Sequence, residues 1–391
     1  MRTEGDLIEI NKWLTPLSLV YGLGVGLRNR MYELGIKKSR SFAIPVISLG
    51  NITVGGAGKT PHTEYLVRLL KERLKVAVLS RGYKRKTKGY VLADDDSTVE
   101  DIGDEPRQMK TKFPDIYVAV DANRCEGIDR LTEDEATKDV DVILLDDTYQ
   151  HRHVKPGINI LLVDYHRLII YDRLLPAGRL REPEKGKERA DMVIITKCPR
   201  DLKPMEFRVL TKVMNLRPYQ DLFFTTIDYD TLVPILDTQQ GKAAVGKDDN
   251  VLLLTGIASP KQMEQDISPM CKSLTALTFA DHHSFRQRDI EKINEAFLNI
   301  PEPRIVVTTE KDAARLQAVD GLSDSVRQSI YALPVKIKFM LGQEETFKNK
   351  ILSYVQKNSR NSILVKTKDD IKPKDSNNTG ERPRRISFRD N

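Results

Sequence analysis

The chain has 391 residues, enough for two domains with cores of their own and too many for one small module. Its 63 Lys and Arg outnumber its 56 Asp and Glu for a net charge of +7, yet residues 356–391 hold ten basic against five acidic residues, residues 1–41 seven against four, and residues 42–355 sum to −1. A body so close to neutral excludes a polybasic nucleic-acid binder and confines the basic character to the two ends.

In chain order, the first predicted element is helical. Thr15-Pro16 is a cap and first-turn pair, and Trp13–Leu27 runs 15 residues without a charge between Lys12 and Arg28. Spanning a bilayer takes ~20 apolar residues, and Pro16, Gly22, Gly24 and Gly26 interrupt this run. Residues 1–41 are therefore expected to form a helical segment that does not cross a membrane, and without an A-x-A-like cleavage site no signal peptide is expected. Short, near-continuous apolar runs then alternate with helical patterns, as in the buried parallel strands of βαβ units. These runs are Ile44–Leu49, Val76–Leu79, Ile116–Val120, Val140–Leu145, Ile158–Val163 and Met192–Thr196. They predict an α/β fold whose first domain, residues 42–227, is a doubly wound parallel sheet. Residues 228–249, with scattered Gly, Pro, Asp and Gln, read as a connector. They open a second, smaller α/β domain, residues 228–355, with strands at Val251–Thr255, Ile305–Thr308 and Ile330–Phe339 and helical patterns at Lys261–Met270 and Ile290–Phe297. From Gln356 the chain is polar and charged and cannot offset its ordering entropy by burial, so residues 356–391 are predicted to be a disordered basic tail.

The first strand runs into Gly50-Asn51-Ile52-Thr53-Val54-Gly55-Gly56-Ala57-Gly58-Lys59-Thr60-Pro61, followed by an amphipathic run from Glu64 to Leu74. A glycine-rich turn ending in Gly-Lys-Thr at a helix start offers backbone N–H groups and the positive helix end to phosphate oxygens. It also offers a lysine for the β- and γ-phosphates and a hydroxyl for Mg²⁺. Gly55, Gly56, Ala57, Gly58, Lys59 and Thr60 are thereby candidate nucleotide-binding residues, although Thr53 stands where the motif has its first glycine. The strand at 140–145 ends in Asp146-Asp147, two carboxylates at the carboxyl edge of the sheet, where a Mg²⁺ ion on Thr60 would need them. Guanine-reading switch proteins use an N/T-K-x-D element, whereas Thr196-Lys197-Cys198-Pro199-Arg200-Asp201 sets its Asp two positions too late; this favours ATP. Four of the six histidines form two pairs, His151 with His153 and His282 with His283, and neither has the ligand spacing of a zinc site. Catalytic or phosphate-contacting roles fit them better. The three cysteines, Cys125, Cys198 and Cys271, are far apart and make no disulfide framework, which implies a reducing compartment. Arg81 and Arg124 are candidates to neutralise phosphoryl charge, because guanidinium matches phosphate oxygens bidentately.

The phosphate loop is followed, in order, by Ser80-Arg81-Gly82-Tyr83, Gly103-Asp104-Glu105-Pro106, Asp146-Asp147-Thr148-Tyr149-Gln150-His151, Leu175-Pro176-Ala177-Gly178-Arg179-Leu180-Arg181-Glu182-Pro183, Phe279-Ala280-Asp281-His282-His283 and Thr309-Glu310-Lys311-Asp312. This ordered set, over residues 13–355, resembles the tetraacyldisaccharide 4′-kinases, the lipid A 4′-kinases of Gram-negative bacteria. Thr53 is ordinary in that family. Thr148 and Tyr149 depart from its more usual Gly and Phe, and the basic tail has no place in it.

The resemblance implies a P-loop NTPase-like fold and transfer of the γ-phosphate from Mg²⁺-bound ATP to the 4′-hydroxyl of a tetraacylated glucosamine disaccharide 1-phosphate. The enzyme would be peripheral, at the cytoplasmic face of the bacterial inner membrane, with no nucleic acid and no obligate protein partner. Asp104 would be the base that takes the hydroxyl proton, assisted by His282 with Asp281 from the second domain, and closure of the interdomain cleft would assemble the site. Arg181 and Glu182 would line the sugar site, with Arg81, Tyr83, Gln150 and His151 on the substrate side. The apolar N-terminal helix, ending among Arg28, Arg30, Lys37, Lys38 and Arg40, then has two placements, at the lipid interface or packed as an ordinary core helix, and the sequence does not choose between them. A rival reading is a regulatory P-loop NTPase that switches a protein partner; its turnover would not respond to an acylated disaccharide.

Overall fold

The computed structural model describes residues 8, 10–236, 242–257, 260–280, 283, 285–317 and 319–369. Strands β1 (Val46–Gly50), β2 (Val76–Ser80), β3 (Val91–Leu92), β4 (Tyr117–Val120), β5 (Val142–Asp146), β6 (Ile158–Asp164), β7 (Met192–Thr196) and β8 (Asp221–Tyr229) are followed by β9 (Val233–Pro234), β10 (Asn250–Thr255), β11 (Ser273–Thr278), β12 (Arg304–Thr308), β13 (Ile330–Ala332) and β14 (Val335–Phe339). The larger sheet has nine strands in the order β14-β8-β7-β6-β1-β5-β2-β4-β3, and the smaller has five in the order β11-β10-β12-β13-β9. Strands β1, β2, β5 and β7 are buried at every residue, as unbroken Val/Ile/Leu runs require of parallel strands covered on both faces.

Helices cover both faces of the larger sheet. On one lie α2 (Lys59–Lys71), α4 (Asp104–Lys112) and α11 (Glu344–Asp369), whose Val67, Leu70, Met109, Phe347, Ile351 and Val355 share a core with Ile47, Leu49 and Ile160. On the other, α5 (Arg124–Glu133) sets Ile128 and Leu131 against Leu79 and Ile143. Beside it, α6 (Pro204–Met214) sets Phe207 and Leu210 against Val163 and Val193. The short α3 (Val99–Ile102) leads into α4. The smaller sheet is layered likewise: α8 (Gln287–Leu298), α9 (Glu310–Leu316) and α10 (Asp324–Arg327) cover one face, and α7 (Pro260–Ile267) the other. Strand β1 has β5 on one side and β6 on the other, so the strand order changes direction at β1 and opens a crevice at its carboxyl end, where open α/β sheets bind ligands.

The structure corrects the sequence reading at the domain boundary. The run Ile330–Phe339 is two strands in different sheets, separated by Pro334, which has no N–H for a ladder: β13 stays in the smaller sheet while β14 returns to the larger one, antiparallel to β8 with Val335 opposite Tyr229. Residues 230–334 are thus a lobe inserted between two neighbouring strands, and α11 packs on the first domain, not the second. Helix α11 also runs through Asp369, past residue 356 where the sequence predicts disorder to begin; residues 370–391 lie outside the described residues.

The N-terminal helix α1 (Thr15–Glu33) forms as expected, with Pro16 in its first turn, and ends where Gly35 takes φ +73°. Its apolar side chains stand largely in solvent: Trp13, just before it, is 93% exposed, and Leu19, Val20, Leu23 and Leu27 are exposed too. Ordinary core packing, one of the two placements the sequence allows, does not describe it.

Candidate active site

The phosphate loop joins β1 to α2. Its last glycine, Gly58, precedes Lys59 in the left-handed region at φ +81°, and a Cβ on Gly55 or Gly56 would meet nothing within 4 Å. The glycines leave open space above backbone and helix end, the cradle a phosphate chain needs. The loop is braced from three sides. Val54 N–H donates to the Arg179 carbonyl at 2.8 Å and Arg181 N–H to the Ile52 carbonyl at 2.7 Å, and Thr196 Oγ1 donates to the Ala57 carbonyl at 3.0 Å. Under the loop, His62 Nδ1 lies 2.7 Å from the Gly58 carbonyl and Nε2 3.0 Å from Thr225 Oγ1. A carbonyl only accepts, so Nδ1 carries the proton and Nε2 accepts from the Thr225 hydroxyl. Burial lowers the His62 pKa to about 4 and keeps the ring neutral.

Facing the loop is a cluster of acids. Lys59 Nζ is 3.5 Å from Asp147 Oδ1, and Arg181 Nη1 is 3.5 Å from Asp147 Oδ2. Thr63 Oγ1 donates to Asp146 Oδ1 at 3.1 Å, and Thr60 Oγ1 to Glu105 Oε1 at 3.4 Å. Burial pushes the Asp146 carboxyl up to about 7, and the negative charges of Glu105 and Asp147 push the same way while Lys59 opposes them. Arg124 is 2% exposed, donates to the Asp121 carbonyl at 2.6 Å, and has its pKa lowered to about 10 by burial, against the pull of Asp146 and Asp147. Phosphoryl and metal groups would find here a site already crowded with charge of both signs.

The inserted lobe reaches the same place through α9. Lys311 Nζ donates to Glu105 Oε1 at 2.6 Å and Arg315 Nη2 to Asp104 Oδ2 at 2.8 Å, while Lys112 bridges Glu64 and Glu310 at 2.7 and 2.6 Å. Asp104 and Glu105 begin α4, and a Cβ on Gly103 would stand 2.9 Å from the Tyr83 carbonyl. The loop carrying Arg81 and the exposed Tyr83 therefore lies beside Asp104.

The candidate residues fall into two groups. Gly55 to Thr60, Asp104, Arg124, Asp146, Asp147 and Arg181 converge on the crevice. Gln150, His151 and Glu182 sit behind it. Glu182 is fully buried and accepts from Arg189 at 2.9 Å and Gln150 at 3.3 Å, Gln150 also donates to the Asn51 carbonyl at 2.6 Å, and burial lowers the His151 pKa to about 4. Asp281 and His282 lie outside the described residues. Their neighbour His283 stacks on Phe279 and bonds Asp289 Oδ2 at 2.9 Å, a packing role. The two departures from the family pattern are absorbed internally: Thr148 Oγ1 bonds Ser48 Oγ at 2.8 Å, and the Tyr149 hydroxyl donates to the Gly186 carbonyl at 2.8 Å.

Sequence reasoning passed over Glu105, His62, Lys311 and Arg315. The signal for the last two was present, since Lys311 and Arg315 are four residues apart on one helix face and Lys311 stands in a quoted motif. Asp312 of that motif, fully buried, accepts from Gly256 N–H at 2.8 Å and Arg315 at 3.1 Å and so fixes the helix that presents both cations.

A family model described as tetraacyldisaccharide-1-P 4′-kinase matches residues 10–356. The tetraacyldisaccharide 4′-kinase of Phocaeicola vulgatus is 56% identical over 362 residues, covering 92% of this chain and 99% of its own. That of Bacteroides fragilis is 48% identical over 372 residues, covering 94% and 99%. Among solved structures, the "apo" form of LpxK from Aquifex aeolicus in complex with ATP superposes with a TM-score of 0.66 at 29% identity, over 88% of this chain and 99% of that one.

Proposed function

The chain belongs to the tetraacyldisaccharide 4′-kinase family, and from that membership we propose how its own residues carry out the family's reaction. That reaction, ATP-dependent phosphorylation of the 4′-hydroxyl of a tetraacylated disaccharide 1-phosphate in lipid A biosynthesis, is the activity of this chain. The loop from Gly55 to Gly58 turns its amides to the phosphates, and Lys59 shifts from Asp147 to the β- and γ-phosphates. Arg124 and Arg81 spread the charge on the transferring group.

Among the described residues no three His, Cys, Asp or Glu side chains converge as a ready metal cage. Thr60 and the Asp146-Asp147 pair still suit Mg²⁺, which takes one or two carboxylates and a hydroxyl and fills its remaining positions with water and phosphate oxygens. Burial and the nearby Glu105 and Asp147 carboxylates raise the Asp146 carboxyl, and a cation on this donor set would offset that crowding of negative charge. Bound there, Mg²⁺ would neutralise charge developing between the β- and γ-phosphates.

Asp104 removes the proton from the 4′-hydroxyl as its oxygen bonds to the γ-phosphorus and the bond from that phosphorus to the β–γ bridging oxygen breaks, releasing ADP, and Arg315 on Oδ2 orients that carboxylate. Asp281 and His282 assist from the inserted lobe. Arg181 meets the sugar side of the site, and Gln150, His151 and Glu182 hold that wall from behind.

Among the described residues no helix is long and apolar enough to cross a membrane, yet α1 keeps its apolar residues in solvent. We take α1 to lie in the lipid surface with Arg28, Arg30, Lys37 and Lys38 toward anionic head groups, while Arg40 is held by Asp129. It would do so at the cytoplasmic face of the inner membrane, where ATP is available and Cys125, Cys198 and Cys271 remain as the free thiols they are here.

The observation that carries this assignment is an open glycine cradle beside which Lys59 lies 3.5 Å from Asp147 and Thr60 bonds Glu105, the neighbour of Asp104. Incubation with Mg-ATP and the tetraacyl disaccharide 1-phosphate in detergent should give a product heavier by one phosphate. Lys59→Ala and Asp104→Ala should fold and lose that product, the second by about 10²–10⁴-fold. Wild-type transfer by Asp104→Ala would remove the base assignment.

A further inference from the structure

Helix α1 is gripped along one narrow line. Ser18, 7% exposed, is its single buried residue among those described. Its hydroxyl donates to the Leu174 carbonyl at 3.0 Å and accepts from Ala177 N–H at 2.9 Å. One turn on, the Tyr21 hydroxyl donates to the Arg181 carbonyl at 2.8 Å, and a Cβ on Gly22 would stand 2.8 Å from Leu174 Cδ1. Positions 18, 21 and 22 share one helical face. A helix held by burial would turn leucines inward. This one turns in a serine, a tyrosine hydroxyl and a glycine, which contribute directional bonds and close approach, and leaves its leucines outside.

The first half of this line grips the same segment that braces the phosphate loop, while further along the Asn29 carbonyl accepts from Arg152 at 3.1 Å and the Tyr32 ring meets His153 edge-on. Residues 174–181 take the three bonds from α1 on one side and, on the other, Arg179 and Arg181 make the two backbone bonds to Val54 and Ile52, with Thr53 bridged to Leu180. The Arg181 side chain continues to Asp147. Helix, segment, loop and acid cluster form one hydrogen-bonded chain.

We infer that Ser18 and Tyr21, seated by Gly22, are positioning residues for the acceptor lipid: they fix the register between the helix that lies in the membrane and the segment that carries the phosphate loop and Arg181. The height of the active site above the lipid surface is then set by these bonds, and the 4′-hydroxyl of a lipid that stays in the bilayer meets the γ-phosphate only at that height. The inference rests on the interfacial reading of α1.

Trp13 is the chain's one tryptophan and sits at the head of α1, so its emission reports entry into lipid. In anionic phospholipid vesicles carrying the tetraacyl disaccharide 1-phosphate, the Ser18→Ala/Tyr21→Phe double variant and Gly22→Leu should keep the wild-type blue shift of Trp13 and bind ATP within about twofold of wild type. Their kcat/KM for the lipid acceptor should fall about tenfold or more, from three lost hydrogen bonds in the double variant and from the helix being pushed off Leu174 in Gly22→Leu. Ser18→Thr, which keeps the hydroxyl, should recover most of the rate. Unchanged kcat/KM in variants that still show the blue shift would overturn the inference, and so would a parallel loss of ATP affinity, which would make the contact a support for the fold. A wild-type protein with no blue shift on these vesicles would instead overturn the interfacial reading itself, and the inference with it.

Discussion

Each side chain at the site does work that its neighbours define. His62 is a plain helix residue in sequence, yet buried under Gly58 it must stay neutral, and the pH dependence follows from that. Its pKa is lowered from 6.5 to about 4 in the fold, so between those values the unfolded chain takes a proton that the folded chain refuses. The contribution is complete above about pH 6.5 and is lost on acidification toward pH 4, at most about 3 kcal/mol. Thermal unfolding at pH 5 and pH 7 should therefore show a larger acid loss in the wild type than in His62→Gln. Arg315 makes a second case: removing it leaves Asp104 without its orienting partner on Oδ2. Arg315→Ala should lose roughly 10²-fold in kcat while calorimetry finds ATP affinity unchanged. Lys59, Thr60 and the Asp146-Asp147 pair were legible as candidates because a contiguous loop and a strand end carry them. Arg315 was not, because its meaning depends on a carboxylate 211 positions away.

At the scale of elements, the strands predicted from apolar runs form, but β3, β8, β9 and β11 were not among them, β9 lying within the stretch read as a connector, and one run was misread because its second half pairs remotely. Residues 330–339 look like a single strand, and only the pairing of Val335 with Tyr229 separates β14 from β13. Helix α11 has a core stripe of Phe347, Ile351 and Val355 that could have covered either sheet; the Phe347 ring lies tilted 4.7 Å from that of Phe339 and edge-on 5.2 Å from that of Phe223, which ties it to the larger one. Phe347→Ala should cost about 3–5 kcal/mol, visible as a lowered urea midpoint for the whole kinase domain. Helix α1 reads as a helix from its cap and apolar run, but its exposure does not, because an all-round apolar helix can satisfy itself in a core or in lipid.

For the whole molecule, the inserted lobe leaves and re-enters the larger sheet through adjacent strands, so Tyr229 and Val335 already stand side by side. Replacing residues 230–334 by a short Gly-Ser turn should give a folded domain that binds Mg-ATP in calorimetry and transfers no phosphate to the lipid. Retained transfer would show that Lys311, Arg315 and the Asp281-His282 segment are dispensable. By itself the sequence determined the α/β class, the phosphate loop, the paired acids and the family, since each is written in contiguous residues whose local geometry follows from glycine, unbroken apolar runs and helix-end chemistry. Only the tertiary structure decided that the second lobe is an insertion, that its α9 presents two cations to Asp104 and Glu105, that Glu182 is buried behind the site, and that α1 hangs on the segment bracing the phosphate loop. All of those facts but the burial of Glu182 are pairings between residues a hundred or more positions apart, and a chain encodes such pairings in the summed free energy of the packed molecule, which no single stretch of it displays.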